Sequence, residues 1–263
     1  MSEQHVTRKR FGQHFLCDDG VIHAIVNAIS PNKDQPLVEI GPGRGALTLP
    51  LLEYDVAMRL IEIDRDLVAW WNLQKQQGVN VEVYDCDVLR FDFNELGSEQ
   101  EPIKLIGNLP YNISSPLFFH LINFHTIIKD MCFMVQKEVA IRLAAKPGQK
   151  PYNSLSVWLQ LHYQIELLFD VPPEAFAPPP KVDSSIIRLQ PHPTPPVNIN
   201  DKAGFHKFIK ACFAQKRKTL RNNLKKILDA KKIDDVGIDP SRRAETLSIE
   251  EFAALHNQLS HSE

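Results

Sequence analysis

The stretch PLVEIGPGRGALT, residues 36–48, decides how this 263-residue chain is read. Leu37, Val38 and Ile40 make a short apolar run that ends in three glycines, Gly41, Gly43 and Gly45. Such a run is a buried strand meeting a tight turn, and ALTLPLLE (46–53) supplies a helix after it. The spacing fits G-x-G-x-x-A, a fingerprint in which glycines let the backbone approach a ligand closely. Glu62 lies 21 residues beyond Gly41, in a second apolar run, VAMRLIEID (56–64). A carboxylate there can accept hydrogen bonds from both hydroxyls of a ribose. Together these features point to a nucleoside-containing cofactor. Nicotinamide dinucleotide and S-adenosylmethionine share this logic, and a plain strand–helix turn is the alternative.

Outward from the glycines, strands and helices alternate. RDLVAWWNLQKQ (65–76) reads as a helix, VNVEVYDCD (79–87) and PIKLIGNLP (102–110) as strands. SPLFFHLINF (115–124) reads as a helix with Ser115 as its cap and Pro116 at its first position. DMCFMVQ is a fifth strand, KEVAIRLAAK a helix, YNSLSVWLQLHY another, and QIELLFDV and SSIIRLQ complete the sheet. Repeated alternation of this kind predicts an α/β, Rossmann-like fold with a mostly parallel sheet and helices on both faces. Residues 191–200, PHPTPPVNIN, hold four of the chain's 19 prolines and read as a semi-rigid linker. Beyond it GFHKFIKACFAQ, KRKTLRNNLKKILDAKK and SIEEFAALHNQLS are helical, the last with a capping box from Ser248 and Glu251. The expected division is therefore a first domain over 1–195, with 1–16 as an N-terminal arm, and a small all-helical domain over 196–263.

Parallel strands send their C-terminal ends to one edge of the sheet, where ligands of such folds sit. Asp87 emerges there and could accept from an adenine amino group; the alternative is a capping aspartate. The turn Asn108-Leu109-Pro110-Tyr111 opens on the same edge. Asn108 offers an acceptor, Pro110 a rigid backbone and Tyr111 a ring on which a base can stack. An adenine amino nitrogen is a poor nucleophile because its lone pair is delocalised into the ring. Acceptors holding its hydrogens favour a pyramidal nitrogen and expose that lone pair to a sulfonium methyl held in line, so positioning and polarisation do most of the work. The bland alternative is a type I turn with proline at its favoured position. FAPPPKVDSS (176–185) is a stiff loop presenting Phe176 and Lys181 at little ordering cost; alternatively Phe176 is simply core.

Composition narrows the field further. With 43% hydrophobic and 24% charged residues the chain is globular. No apolar run approaches the length of a membrane span and the N-terminus lacks a signal-peptide core. Cys17, Cys86, Cys132 and Cys212 are scattered, which suits reduced thiols of a cytosolic protein rather than a metal site or disulfide frame. The net charge of −2 conceals an asymmetry: residues 201–232 hold eleven Lys or Arg against two Asp, so that segment carries +9 and the remainder −11. Lys216, Arg217, Lys218, Arg221 and Lys225 form a helical basic stripe suited to phosphates of a polyanion, unless it is only a solvated face. TRKRFGQ (7–13) adds a second basic spot.

Taken together, FGQHFL (11–16), EIGPGRGALT, IEID, DCDVL, GNLPYNISSPL, MVQKEVAIRL, FAPPPKVDSS and FAQKRKTLRNNL resemble the small-subunit rRNA adenine N6,N6-dimethyltransferases, the kasugamycin-resistance family, over nearly the whole chain. The resemblance implies a Rossmann-like methyltransferase using S-adenosylmethionine, with a small helical C-terminal domain that contacts RNA. It implies that His14 and Leu16 line the cofactor site from the arm. Gly41 would lie at the cofactor's methionine part, Glu62 at the ribose and Asp87 at its adenine, with Gly43 also in the cofactor site. Asn108 would face cofactor and target amino group, and Tyr111 and Phe176 would sandwich the target adenine. Related drug-resistance enzymes that methylate large-subunit rRNA share much of the pattern.

The expected activity is dimethylation of two adjacent adenines near the 3′ end of small-subunit rRNA, within an assembling small subunit. The protein is expected to be cytoplasmic and monomeric. The alternatives are a large-subunit rRNA or DNA adenine methyltransferase, a non-catalytic RNA-binding assembly factor, and a nicotinamide-dependent oxidoreductase, for which no hydride-transfer site is identifiable.

Overall fold

The computed structural model describes residues 14–199 and 201–259. The elements run β1 (Phe15–Leu16), α1 (Asp19–Ile29), β2 (Leu37–Ile40), α2 (Thr48–Leu52), β3 (Met58–Glu62), α3 (Arg65–Gln76), β4 (Val81–Asp85), β5 (Ile103–Asn108), α4 (Ser114–Leu121), β6 (Ile128–Gln136), α5 (Lys137–Ala144), α6 (Ser154–Gln160), β7 (Tyr163–Val171), β8 (Phe176–Ala177) and β9 (Ser184–Pro191). Then follow α7 (Lys202–Cys212), α8 (Leu220–Leu224), α9 (Ala230–Asp234) and α10 (Ile249–Asn257). Two compact units result. One takes in the described part of Met1–Ala140 with Glu166–Pro191, the other Ile141–Ile165 with the described part of His192–Glu263.

The first unit is built on a seven-stranded sheet of order β4-β3-β2-β5-β6-β9-β7. The pairs among β2 to β6 are parallel and β9 runs antiparallel to β6. The chain steps outward from β2 to β4, then returns to the other side of β2 as β5. That reversal opens a crevice at the C-terminal strand edge. All four residues of β2 are buried, as expected for a strand covered on both faces. On α1, Ile22, Ile25, Val26 and Ile29 make the buried stripe, and Asp18 caps the helix by accepting from the Val21 N–H. At the opposite end of the sheet Lys104 pairs with Asp130 at 3.1 Å and donates to the Ile29 carbonyl, so its charge sits at the negative end of α1.

Several local expectations need correcting. The helix expected from Ser115 begins at Ser114, with Ile113 at the cap position and no capping side chain. The turn closed by Ile113 N–H to the Pro110 carbonyl runs straight into the helix, and Pro116 remains in the first turn, where its missing N–H costs nothing. The helix over 46–53 contracts to five residues, and the one over 152–163 stops at Gln160 so that Tyr163 can begin β7.

The second unit also differs from the sequence division at residue 195, because Ile141–Ile165 joins it. Rings on and just before α6 explain this: Trp158 of α6 stacks on His206 at 4.5 Å, and Tyr152 meets Phe213 edge-on at 6.2 Å. The capping box of Ser248 and Glu251 on α10 is present as expected.

Candidate active site

The C-terminal ends of β2, β3, β4 and β5 deliver Gly41, Glu62, Asp87 and Asn108 to one cavity of about 620 Å³. His14, Leu16, Gly43, Pro110, Tyr111 and Phe176 line it as well, so the residues singled out in the first unit converge there, except Lys181, which is exposed on the loop after Phe176. Gly107 makes the convergence possible. A Cβ on it would stand 2.5 Å from the Ile40 carbonyl oxygen, so only glycine lets β5 end this close to β2 and bring Asn108 beside the glycine turn.

Gly41 has φ +67°, and a Cβ there would meet nothing within 4 Å: the backbone is bare toward the cavity. Glu62 is buried, and its Oε1 accepts from the N–H groups of Ile63 and Asp64, both at 2.9 Å. Its Oε2 accepts from the Gly43 N–H at a long 3.4 Å and retains capacity for further donors. Burial pushes this carboxyl above its ordinary pKa, opposed by the three main-chain donors. Asp87 caps a short 3-10 turn through Oδ1, which accepts from the Leu89 N–H at 3.0 Å. It is thus a capping aspartate and a cavity residue at once.

One acidic cavity residue escaped the sequence reading. Glu39 is fully covered, its Oε2 accepts from the Thr48 hydroxyl at 2.5 Å, and burial and the Glu62 charge raise its pKa to about 7. Its position inside the strand, two residues before Gly41, was the available signal.

In the Asn108–Tyr111 turn the Leu109 N–H donates to the Met134 carbonyl at 3.0 Å, tying the turn to β6. The Pro110 carbonyl accepts from the Ile113 N–H and the Ser114 hydroxyl, both at 3.1 Å. Asn108 donates through Nδ2 to the His14 carbonyl at 3.3 Å, which leaves Oδ1 as its acceptor. Tyr111 is held from two sides: its ring lies over that of His14, with centroids 6.1 Å apart, and its hydroxyl is 3.2 Å from Ser184 Oγ.

Two motifs distant in sequence meet here. β1 and β8 form a small antiparallel pair that sets Leu16 opposite Phe176 and Phe15 opposite Ala177. His14 Nδ1 lies 2.8 Å from the Pro178 carbonyl oxygen. Phe176 is 4% exposed and joins the core cluster while still lining the cavity, so core packing and ligand contact are both open to it. Lys137 ties the loop after Phe176 to β7: it pairs with Asp183 of the loop at 3.5 Å and with Asp170 of β7 at 2.7 Å, and Ser185 donates to Asp170 at 2.6 Å. These contacts account for the VDSS sequence: it anchors the loop and places Ser184 against Tyr111.

In the second unit, Lys216, Arg217, Lys218, Arg221 and Lys225 are all exposed, but they do not form a helical stripe. Lys216 to Lys218 occupy a turn, Arg221 lies on the five-residue α8 and Lys225 follows it. The helix breaks for identifiable reasons. The Asn223 side chain donates to the Cys212 carbonyl at 2.7 Å and the Gln215 carbonyl at 3.2 Å, closing off α7. Thr219 is extended, and the first N–H groups of α8 turn to the carbonyls of Arg242 and Pro240. Three of the cations thereby sit on the turn before α8, with Arg221 on that helix and Lys225 just after it. The basic spot at 7–13, which takes in the first half of FGQHFL, lies outside the described residues.

A family model described as "Ribosomal RNA adenine dimethylase" matches residues 4–261. The chain is 49% identical over 255 residues to a "Ribosomal RNA small subunit methyltransferase A" of Saccharophagus degradans, covering 97% of this chain and 95% of the relative. It is 49% identical over 259 residues to the protein of that name from Chromohalobacter salexigens, covering 97% and 92%. Among solved structures, a dimethyladenosine transferase from Plasmodium falciparum superposes with a TM-score of 0.78 at 26% identity, covering 92% of this chain and 96% of that one. The 23S rRNA methyltransferase ErmE shares the fold, with a TM-score of 0.72 at 23% identity over 94% of this chain and 99% of its own.

Proposed function

We propose, from the premise that this chain belongs to the ribosomal RNA adenine dimethylase family, that it transfers methyl groups from S-adenosylmethionine to the N6 amino groups of two adjacent adenines near the 3′ end of small-subunit rRNA. It acts in the cytoplasm, as a monomer, on an assembling small subunit. No helix among the described residues is long and apolar enough to cross a membrane. The observation that most supports this reading is the meeting of Asn108 and Tyr111 with Gly41 and Glu62 in a single cavity.

The cavity suits the cofactor. The bare backbone at Gly41 admits its methionine end, the spare capacity of Glu62 Oε2 takes ribose hydroxyls, and Asp87, with Oδ2 uncommitted to its cap, accepts from the adenine amino group. When bound, S-adenosylmethionine supplies a methyl group activated by a sulfonium. The chain's own part is to present the target nitrogen. Asn108 Oδ1 accepts one amino hydrogen. A main-chain carbonyl of the turn takes the other; that of Pro110 is already doubly engaged, by the Ile113 N–H and the Ser114 hydroxyl. Pro110 therefore contributes rigidity rather than an acceptor. Tyr111, fixed by Ser184, and Phe176 supply the faces between which the flipped adenine stacks. Lys181 and the cationic segment from Lys216 to Lys225 hold phosphates and position the RNA without reading its sequence.

Incubating the protein with radiolabelled S-adenosylmethionine and, separately, isolated small subunits, large subunits and duplex DNA tests the assignment. Label should enter small-subunit rRNA alone. Label confined to large subunits or DNA, or a thermal shift with a nicotinamide dinucleotide and none with S-adenosylmethionine, would overturn it.

A further inference from the structure

The glycine turn is gripped from behind by a residue outside the motif. Trp71, fully buried on α3, donates its indole Nε1–H to the Gly43 carbonyl at 3.0 Å. The same ring occupies the space where a Cβ on Gly45 would come within 2.9 Å of its Cη2 atom. On the other side, the Gly43 N–H faces Glu62 Oε2 at 3.4 Å. Gly43 is thus held at its N–H by Glu62 and at its carbonyl by Trp71.

A trans peptide is planar, with its C=O and N–H pointing in opposite directions. Fixing the Gly43 carbonyl toward α3 therefore turns the Arg44 N–H away from α3, and Gly43 and Arg44 both line the cavity. Gly43 has φ +55° and, as glycine, has access to alternative backbone states. Without a donor behind it, its carbonyl would be a partly buried, unpaired acceptor free to rotate toward the cavity, where it would oppose the carboxylate of the cofactor's methionine end.

We infer that Trp71 is a positioning residue for the cofactor: its indole N–H locks the 43–44 peptide so that the glycine turn shows donors, not a carbonyl, to the ligand. This inference rests on the S-adenosylmethionine reading of the cavity. It goes beyond that reading in giving α3, which contributes no residue of its own to the cavity wall, control over cofactor affinity.

The Trp71→Phe variant keeps an aromatic ring against Gly45 and removes only the donor. Equilibrium binding of S-adenosylhomocysteine to the full chain should show a dissociation constant raised about five- to tenfold over wild type, the size expected for one lost hydrogen bond. The KM for S-adenosylmethionine should rise in step, with kcat at saturating cofactor held to within about twofold. A second measurement needs no variant of Trp71. In the 15N-tryptophan-labelled protein, with the other two indole signals assigned through Trp70→Phe and Trp158→Phe, the remaining indole N–H should shift and gain exchange protection when S-adenosylhomocysteine is added.

A Trp71→Phe protein with lowered melting temperature but wild-type affinity, or an indole signal unmoved at saturation, would reduce Trp71 to core packing and overturn the inference. If wild type itself bound no S-adenosylhomocysteine, the cofactor reading would fall first and this inference with it.

Discussion

The side-chain amide of Asn108 donates to the main-chain carbonyl of His14 at 3.3 Å, across 94 positions of sequence. The contact fixes which end of the amide is left to accept: Nδ2 is spent on the arm, and Oδ1 is free for an amino group. Asn108→Ala should therefore lower the methylation rate at saturating substrates by roughly a hundredfold or more, the scale of losing one preorganised polar group at a reacting centre. Cofactor binding, measured on the same protein by calorimetry, should change far less. Full methylation by a variant that binds cofactor normally would remove Asn108 from the chemistry.

Phe176 serves both core and cavity, so its removal needs care. Phe176→Ala would leave a void in the core costing about 3–5 kcal/mol, which would obscure any role in binding. Phe176→Leu keeps an apolar side chain of related size at a cost on the order of 1.5 kcal/mol or less, while deleting the flat face. The KM for the RNA substrate should rise about tenfold, in line with a base-stacking contribution of roughly 1–3 kcal/mol, and the fold should persist by circular dichroism. An unchanged KM would assign Phe176 to the core alone.

Glu39 makes stability depend on pH. Its pKa stands at about 7, against an ordinary value of 4.5. Between these values the folded chain keeps a proton that the unfolded chain has released, so the contribution is intact below about 4.5 and is lost as pH rises through about 7. The loss at pH 8 is on the order of 3 kcal/mol. Glu39→Gln cannot ionise and still offers an acceptor to Thr48. Its urea midpoint should exceed that of wild type at pH 8 and match it near pH 4.5; equal midpoints at both would show that Glu39 ionises freely.

Much of the fold was legible from the chain alone. The helix over 65–76 and the strands that carry Gly41, Glu62 and Asn108 stand where periodicity places them, because a sheet covered on both faces leaves uninterrupted apolar runs. The gathering of glycine turn, Glu62 and NLPY at one edge follows from parallel topology. What stayed hidden depends on contacts distant in sequence. The pairing of Leu16 with Phe176, the hydroxyl of Ser184 against Tyr111, and the indole of Trp71 behind Gly43 leave no local pattern. The basic segment misled for a related reason: its composition favours a helix, but Asn223 and the carbonyls of Arg242 and Pro240 stop one.

The cationic segment around the turn before α8 has a test of its own. Reversing Arg217, Lys218 and Arg221 to Glu should weaken small-subunit binding and flatten its dependence on salt, by about one unit of log–log slope for each phosphate contact removed. Affinity for S-adenosylhomocysteine should not change. Wild-type subunit binding by the triple variant would leave the turn as a solvated surface.

The activity itself is most directly tested by mass spectrometry of small-subunit rRNA from cells that carry this gene and from cells that lack it. Two adjacent N6,N6-dimethyladenines near the 3′ end should be present in the first and unmethylated in the second, and restored by the wild-type gene but not by Asn108→Ala. Both dimethyladenines persisting in full when the gene is absent would contradict the proposed function.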